Sequence, residues 1–323
     1  MSDLNLGRGA FSVVLKVELS WPTDGSSGSS SNRHDSLPTS IVAKLPVGGP
    51  NGQAAVASGA YQREALAYRE LLRNDPERHP PTIPRVYLVD EPGDGTCSLL
   101  LEDLSGHRAV DQLDGLNETE TTLVAEELAR LHRYWGSSDR LEGLAVRRNT
   151  IAGLPPEGLS AGLQALETIW ADTLTNRQRE AYSNLLAAKP ELARAFADQR
   201  ATLCHGDPRA DNLVFSAPVI EGGPESVVLF DWQQMAVQFG EADLAWLCAT
   251  SLDVEVRRQA EHRLVAAYQG SFDRYRLGLA LPGLTVLLLA QREATTERTR
   301  RFIATSLVRI ASAIDDLDVA GIV

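Results

Sequence analysis

The segment Leu203–Trp232 constrains the fold most. Inside largely helical sequence it holds two short apolar runs, L-V-F and S-V-V-L-F, on either side of a Pro/Gly-rich turn. That pattern reads as a β-hairpin. Around it the chain divides in two. Ahead of Leu104, Phe11–Leu19 alternates and is rich in valine, Thr39–Leu45 ends in I-V-A-K, and Arg85–Asp90 and Thr96–Glu102 are joined by the turn E-P-G-D-G. These read as strands. From about Gln53 to Asn74 the period becomes helical, giving a β-β-α-β-β order with one long helix. The stretch W-P-T-D-G-S-S-G-S-S-S-N-R-H-D-S-L-P between the first two strands has too little apolar surface to fold, so residues 22–40 are expected to be a flexible insertion. After Leu104, helical periodicity recurs over Asn117–Trp135, Leu163–Trp170, Asn176–Ala187, Val254–Tyr268 and Thr296–Ile314.

Composition narrows the partners. With 323 residues, 43% hydrophobic and 23% charged, the chain can build two cores. A formal net charge of −12 argues against nucleic acid, which needs a basic face. Cys97, Cys204 and Cys248 are odd in number and far apart, so they read as reduced, buried thiols and not as a disulfide framework or a zinc site. The N-terminal sequence lacks a basic segment followed by an apolar core. The longest apolar run, Leu277–Ala290, contains Pro282 and is too short to cross a bilayer. The expectation is a cytoplasmic protein with no membrane partner; the sequence says nothing of its oligomeric state.

Four pieces carry chemistry. G-R-G-A-F-S-V-V places Gly7, Gly9 and Ser12 where backbone N–H groups approach phosphate oxygens, although a tight hairpin turn would also use two glycines. Lys44, at the end of its strand, can neutralise phosphate oxygens, and Glu64 on the following helix can fix it; singly, each is an ordinary surface charge. The third piece, L-C-H-G-D-P-R-A-D-N-L-V-F, has the spacing H-x-D-x-x-x-x-N of a phosphotransfer catalytic loop. In it Asp207 would accept or orient a hydroxyl proton and Asn212 would hold magnesium, while Arg209 reads equally as a group reaching toward the transferred phosphoryl and as a solvated arginine. His205 reads as an anchor for the loop, and Asp211 as a turn cap. The fourth piece is Asp231 in F-D-W-Q, nineteen residues after Asn212, a hard-oxygen ligand suited to Mg²⁺.

In this order, with H-G-D where protein kinases carry H-R-D and D-W-Q where they carry D-F-G, the chain resembles the aminoglycoside phosphotransferase/choline kinase superfamily. Its L-L-L-E-D-L, L-A-R-L-H and G-E-A-D-L-A segments are similar to the ecdysteroid-kinase-like and choline/ethanolamine-kinase-like branch and its bacterial relatives. The resemblance implies an α+β, bilobal protein-kinase-like fold: a small antiparallel sheet lobe with one long helix over residues 1–103, and a larger, mainly helical lobe over 104–323. It implies ATP and Mg²⁺ as cofactors and a small-molecule hydroxyl acceptor. It places the adenine edge at the Glu102 carbonyl and Leu104 amide, the phosphates at Lys44 and Glu64, the base at Asp207 and the metal at Asn212 and Asp231. Asp243 would brace the catalytic loop. Ser12 stands at the third glycine position of the phosphate loop, where it still offers a backbone N–H.

Two rival classes fit less well. A protein kinase needs a long activation segment ending in A-P-E, but only eleven residues separate Asp231 from Asp243 and A-P-E is absent. A nucleotide-binding scaffold would lack a catalytic group, whereas Lys44, Asp207, Asn212 and Asp231 are all present. The acceptor itself is not legible. Asp111, Asp114 and Asp172 are candidates to attract an amine but read as solvated, and Trp135, Trp170 and Trp246 are candidates to line a pocket but read as core.

Overall fold

The computed structural model describes residues 5–8, 11–21, 37–71, 83–136, 141, 142, 144, 146–148, 150–217 and 225–323. Gly9 and residues 22–36 of the Ser/Gly-rich stretch lie outside them. Contacts group the described residues into two units, one running through Leu71 and from Ile83 to His107, the other from Arg108 to Val323.

The first unit is a five-stranded antiparallel sheet in the order β1-β2-β3-β5-β4, built from β1 (Asn5–Arg8), β2 (Ser12–Glu18), β3 (Ser40–Pro46), β4 (Val86–Asp90) and β5 (Ser98–Glu102). Alternation sets its inner face: Ala43, Leu99 and Leu101 are buried, the two leucines at two-residue spacing along β5. The register places Lys44 between Val14 of β2 and Leu99 of β5. The helical sequence expected over 53–74 starts earlier and is broken. It forms α1 (Gly49–Ser58) and α2 (Ala60–Leu66), followed by a widened π turn over Ala67–Leu71. Gly59 makes the break by taking the left-handed conformation (φ 70°), which ends α1 while its carbonyl starts α2. Tyr61 ties α2 to the sheet, its hydroxyl donating to the Phe11 carbonyl and accepting from the Val47 N–H.

The second unit is mainly helical. It comprises β6 (Arg108–Ala109), α3 (Glu118–Trp135), α4 (Pro156–Thr168), α5 (Asn176–Ala187), α6 (Lys189–Ala197), β7 (Thr202–Cys204), β8 (Leu213–Ser216), β9 (Ser226–Leu229), β10 (Ala236–Gln238), α7 (Glu241–Ser251), α8 (Val254–Tyr268), α9 (Phe272–Gly278), α10 (Ala280–Ala290) and α11 (Glu297–Asp316). Capping boxes start two of the helices: Asn117 with Glu120 on α3, and Thr175 with Gln178 on α5. The apolar run 277–290 straddles α9 and α10, with Pro282 in the first turn of α10, where a helix does not need its N–H. The expected hairpin is present: β8 and β9 pair antiparallel, Leu213 opposite Leu229. β6 adds to β8, and β7 pairs separately with β10. Among the described residues no helix is long and apolar enough to cross a membrane.

α7 is almost wholly enclosed. Ten of its eleven residues are buried, which is why its sequence is apolar nearly all round. The exception is Trp246.

Candidate active site

In the first unit the Lys44 ammonium lies 2.7 Å from Glu64 Oε1, with the two side chains 13% and 3% exposed. Glu70, the other carboxylate on this helical stretch, pairs instead with Arg69 at the surface. Gly7 lies in β1 opposite Val14, and Ser12 is buried at the start of β2. Glu102 ends β5, where its N–H donates to the Arg85 carbonyl and its carboxylate accepts from the Arg85 N–H (2.9 Å). Leu104 follows in a turn closed by the His107 N–H.

Between Glu102 and Leu104 stands a group that sequence reading passed over. The Asp103 carboxylate accepts from Ser40 Oγ (2.6 Å) on β3 and from the Ser105 N–H (2.9 Å), and it is paired with Lys16 Nζ (2.9 Å) on β2. Burial alone would raise its pKa. The Ser40 and Lys16 hydrogen bonds outweigh burial and hold it well below the usual carboxylate range. Asp103 therefore latches the turn carrying Leu104 onto two strands.

In the second unit the segment between β7 and β8 is held from every side. The Asp243 carboxylate on α7, fully buried, accepts from the His205 N–H (2.7 Å) and the Gly206 N–H (3.0 Å). His132 of α3 lies 3.2 Å from the same carboxylate through Nε2 and 2.7 Å from the Tyr268 hydroxyl through Nδ1. Cys204, His132 and Asp243 fall within 4.8 Å of one another, yet each already has hydrogen-bond partners in the protein, so the cluster is a brace. Gly206 has φ 85°, and a Cβ there would come 2.1 Å from the Gln234 carbonyl oxygen, so only glycine fits.

His205 is buried, its ring 4.4 Å from that of Trp232. Nε2 is 3.0 Å from the Phe230 carbonyl and Nδ1 accepts from the Asp207 N–H (3.3 Å), which assigns the proton to Nε2. Burial lowers its pKa, so the ring is a neutral strut. The Asp207 carboxylate meets two hydrogen-bond donors and one cation. Trp246 Nε1 lies 2.8 Å from Oδ1, while Asn212 Nδ2 (3.0 Å) and Arg209 Nε (3.3 Å) approach Oδ2. Burial raises the pKa of Asp207, and the neighbouring Arg209 guanidinium only partly offsets it. Burial lowers that of Arg209, but Asp207, Asp211 and Asp231 reverse the sign.

Asn212 gives its amide N–H to Asp207 and keeps its carbonyl oxygen. Across the hairpin the Phe230 N–H donates to the Asn212 backbone carbonyl, so Asp231 leaves β9 at the end of the hairpin where Asn212 enters β8. Asp231 adopts φ 64°, ψ 68°, a left-handed conformation that costs a non-glycine residue about 1–2 kcal/mol. One amide oxygen and one carboxylate at the same end of a hairpin are hard-oxygen groups of the kind that could hold a divalent cation.

The other candidates fall into place differently. Asp211 exchanges backbone–side-chain hydrogen bonds with Gln112 (3.3 and 3.4 Å), and buried Arg309 of α11 holds the Gln112 carbonyl (2.8 Å). Asp111 is engaged by both guanidinium arms of Arg298. Trp170 is buried, with its N–H on the Ala290 carbonyl, and Trp135 is also buried. Asp172 is exposed. Arg209 stacks on Phe302 of α11, 5.3 Å from the ring centre. Trp246, which the sequence reads as core, and Phe302, which the sequence does not single out, both stand beside the loop. No spacing rule in the sequence joins either to Asp207 or Arg209. Burial raises the pKa of all three cysteine thiols, Cys97 and Cys248 to about 12, so they are inert.

A small antiparallel sheet unit, a helical unit and an embedded hairpin carrying His-Gly-Asp and Asp-Trp make up the protein-kinase-like fold. Solved structures with that fold cover most of the chain. A GDP complex of aminoglycoside 2'-phosphotransferase-IIIa is 14% identical with a TM-score of 0.56, over 97% of this chain and 92% of that one. An amicoumacin kinase in complex with AMP-PNP, Ca²⁺ and Ami is 14% identical (TM-score 0.54; 94% and 86%). Choline kinase LicA from Streptococcus pneumoniae is 17% identical (TM-score 0.52; 84% and 86%). No curated protein matches the chain. The phosphotransferase enzyme family matches residues 51–279, and the chain belongs to that family.

Proposed function

We propose that this protein is an ATP- and Mg²⁺-dependent kinase that transfers the γ-phosphoryl group to a hydroxyl of a small molecule. Asp207 receives or orients the hydroxyl proton, and the raised pKa that burial gives it favours proton acceptance. Asn212 Oδ1 and the Asp231 carboxylate hold the metal, which when bound neutralises charge on the phosphoryl oxygens. Arg209, close to Asp207, supplies positive charge toward the transferred group. Lys44, fixed by Glu64, anchors nucleotide phosphates, with the backbone at Gly7, Gly9 and Ser12 as further donors. The Glu102 carbonyl and Leu104 amide take the adenine edge.

The observation that carries this reading is the Asn212 amide donating to Asp207 at the end of the hairpin that Asp231 leaves in a left-handed conformation. Further support comes from the fold relatives: one was solved with AMP-PNP and Ca²⁺ and another with GDP, and by name they act on amicoumacin, aminoglycosides and choline. The test is ADP release from ATP, with and without Mg²⁺, against pooled polyols, amino alcohols and aminoglycosides. Acceptor-dependent, Mg²⁺-dependent release is expected. Nucleotide binding without release for any acceptor would instead favour a scaffold.

A further inference from the structure

α7 grips the catalytic loop along its length. Asp243 holds the backbone of His205 and Gly206, Trp246 holds the side chain of Asp207 (2.8 Å), and Ser251 Oγ accepts from the Ala210 N–H (3.0 Å). Positions 243, 246 and 251 lie at i, i+3 and i+8, one face of a helix. Two of the three hold backbone. Trp246 alone holds the carboxylate assigned to the reacting hydroxyl, and it is also the one residue of this helix that is not buried. The terminal torsion of an aspartate is soft, so neighbouring donors set which way its oxygens face. Of the three groups around this carboxylate, Arg209 and Asn212 belong to the loop itself, and Arg209 sits near Oδ2 without a hydrogen-bonded geometry at Nε. Only the indole is carried by a separate, packed helix.

We propose that Trp246 is the positioning residue for Asp207. Its indole N–H pins Oδ1, so that the carboxylate keeps one orientation toward the acceptor hydroxyl while Asn212 engages Oδ2. The role rests on the proposed phosphotransfer function; the hydrogen bond itself does not.

The kinetic arm uses Trp246→Phe, which keeps a ring and loses the N–H, and Trp246→His, which restores a ring donor. In Trp246→Phe, kcat falls about 10- to 100-fold while KM for ATP stays within about twofold, as for loss of an interaction that orients a reacting group. Trp246→His recovers part of kcat. Wild-type kcat in Trp246→Phe, with loss only in Trp246→Ala, would make the side chain mere packing and overturn the proposal. The second arm needs neither catalysis nor those variants. The chain has five tryptophans, hence five indole N–H resonances. Asp207→Ala moves one of them upfield if the bond exists, and five unmoved resonances would also overturn it. A wild-type chain that releases no ADP with any acceptor would sink the phosphotransfer reading and the positioning role together, and the resonance shift would still report the contact.

Discussion

Asp243→Asn tests how the catalytic loop is held. In the wild type one carboxylate accepts from two consecutive backbone N–H groups at 2.7 and 3.0 Å and faces His132 Nε2 at 3.2 Å, with no solvent access. An asparagine has one acceptor oxygen, so its NH₂ must face either the Gly206 N–H or, in the other orientation, both the His205 N–H and the His132 ring. Hydrogen bonds to a charged group contribute about 1.5–3 kcal/mol, and an orphaned buried donor costs about 1–3 kcal/mol. Because the substitution loses one such bond and retains the other, weakened, it should destabilise the second unit by about 2–4 kcal/mol. At about 2–4 °C per kcal/mol for a unit near this size, the thermal midpoint should drop by roughly 4–16 °C. Calorimetry or circular dichroism on the full chain reads the midpoint, and ADP release read well below it should fall at least tenfold because the loop amides lose their anchor. A midpoint within about 1 °C of wild type, with unchanged turnover, would refute the brace.

Other substitutions separate the remaining roles. Asp207→Asn should abolish transfer and leave Mg·ATP affinity within about threefold, whereas Asp231→Asn should weaken Mg·ATP binding by more than about tenfold in calorimetric titration; equal losses in both would contradict the assignments. Glu64→Gln removes the charged partner of Lys44 and should raise KM for ATP about tenfold, roughly 1.4 kcal/mol, with a smaller change in kcat. Gly206→Ala should destabilise by more than about 3 kcal/mol in denaturant unfolding, because its methyl group meets the Gln234 carbonyl at a left-handed position. For Asp103, a folded-state pKa below the ordinary value means stability that is present above about pH 4 and lost as pH falls through the lowered folded value. The stability gap between wild type and Asp103→Asn should therefore narrow on acidification below about pH 4, and a gap that widens there would oppose the latch.

Much of the local architecture follows from periodicity and turn chemistry. The β8–β9 hairpin, strands β2 to β5 and helices such as α5 and α8 coincide with the runs that predict them, because alternation and 3.6-residue spacing act over a few neighbours; β1, which holds Gly7, has no such run. The 53–74 helix shows the limit: its apolar positions carry on through Gly59, but the backbone there turns left-handed and redirects α2, which Tyr61 anchors to the sheet.

The sequence by itself determined which groups are proposed for phosphoryl transfer and in what order the chain presents them: Lys44 and Glu64, then His205 to Asn212, then Asp231. Only the tertiary structure decided how those groups are held. Trp246 reaches Asp207 across 39 residues, Ser40 reaches Asp103 across 63, and Arg309 reaches Gln112 across 197. Such contacts leave no periodic trace, because an indole that packs and an indole that donates to a carboxylate occupy the same position in a helical pattern. What separates them is the direction of one N–H bond, and packing against distant elements sets that direction.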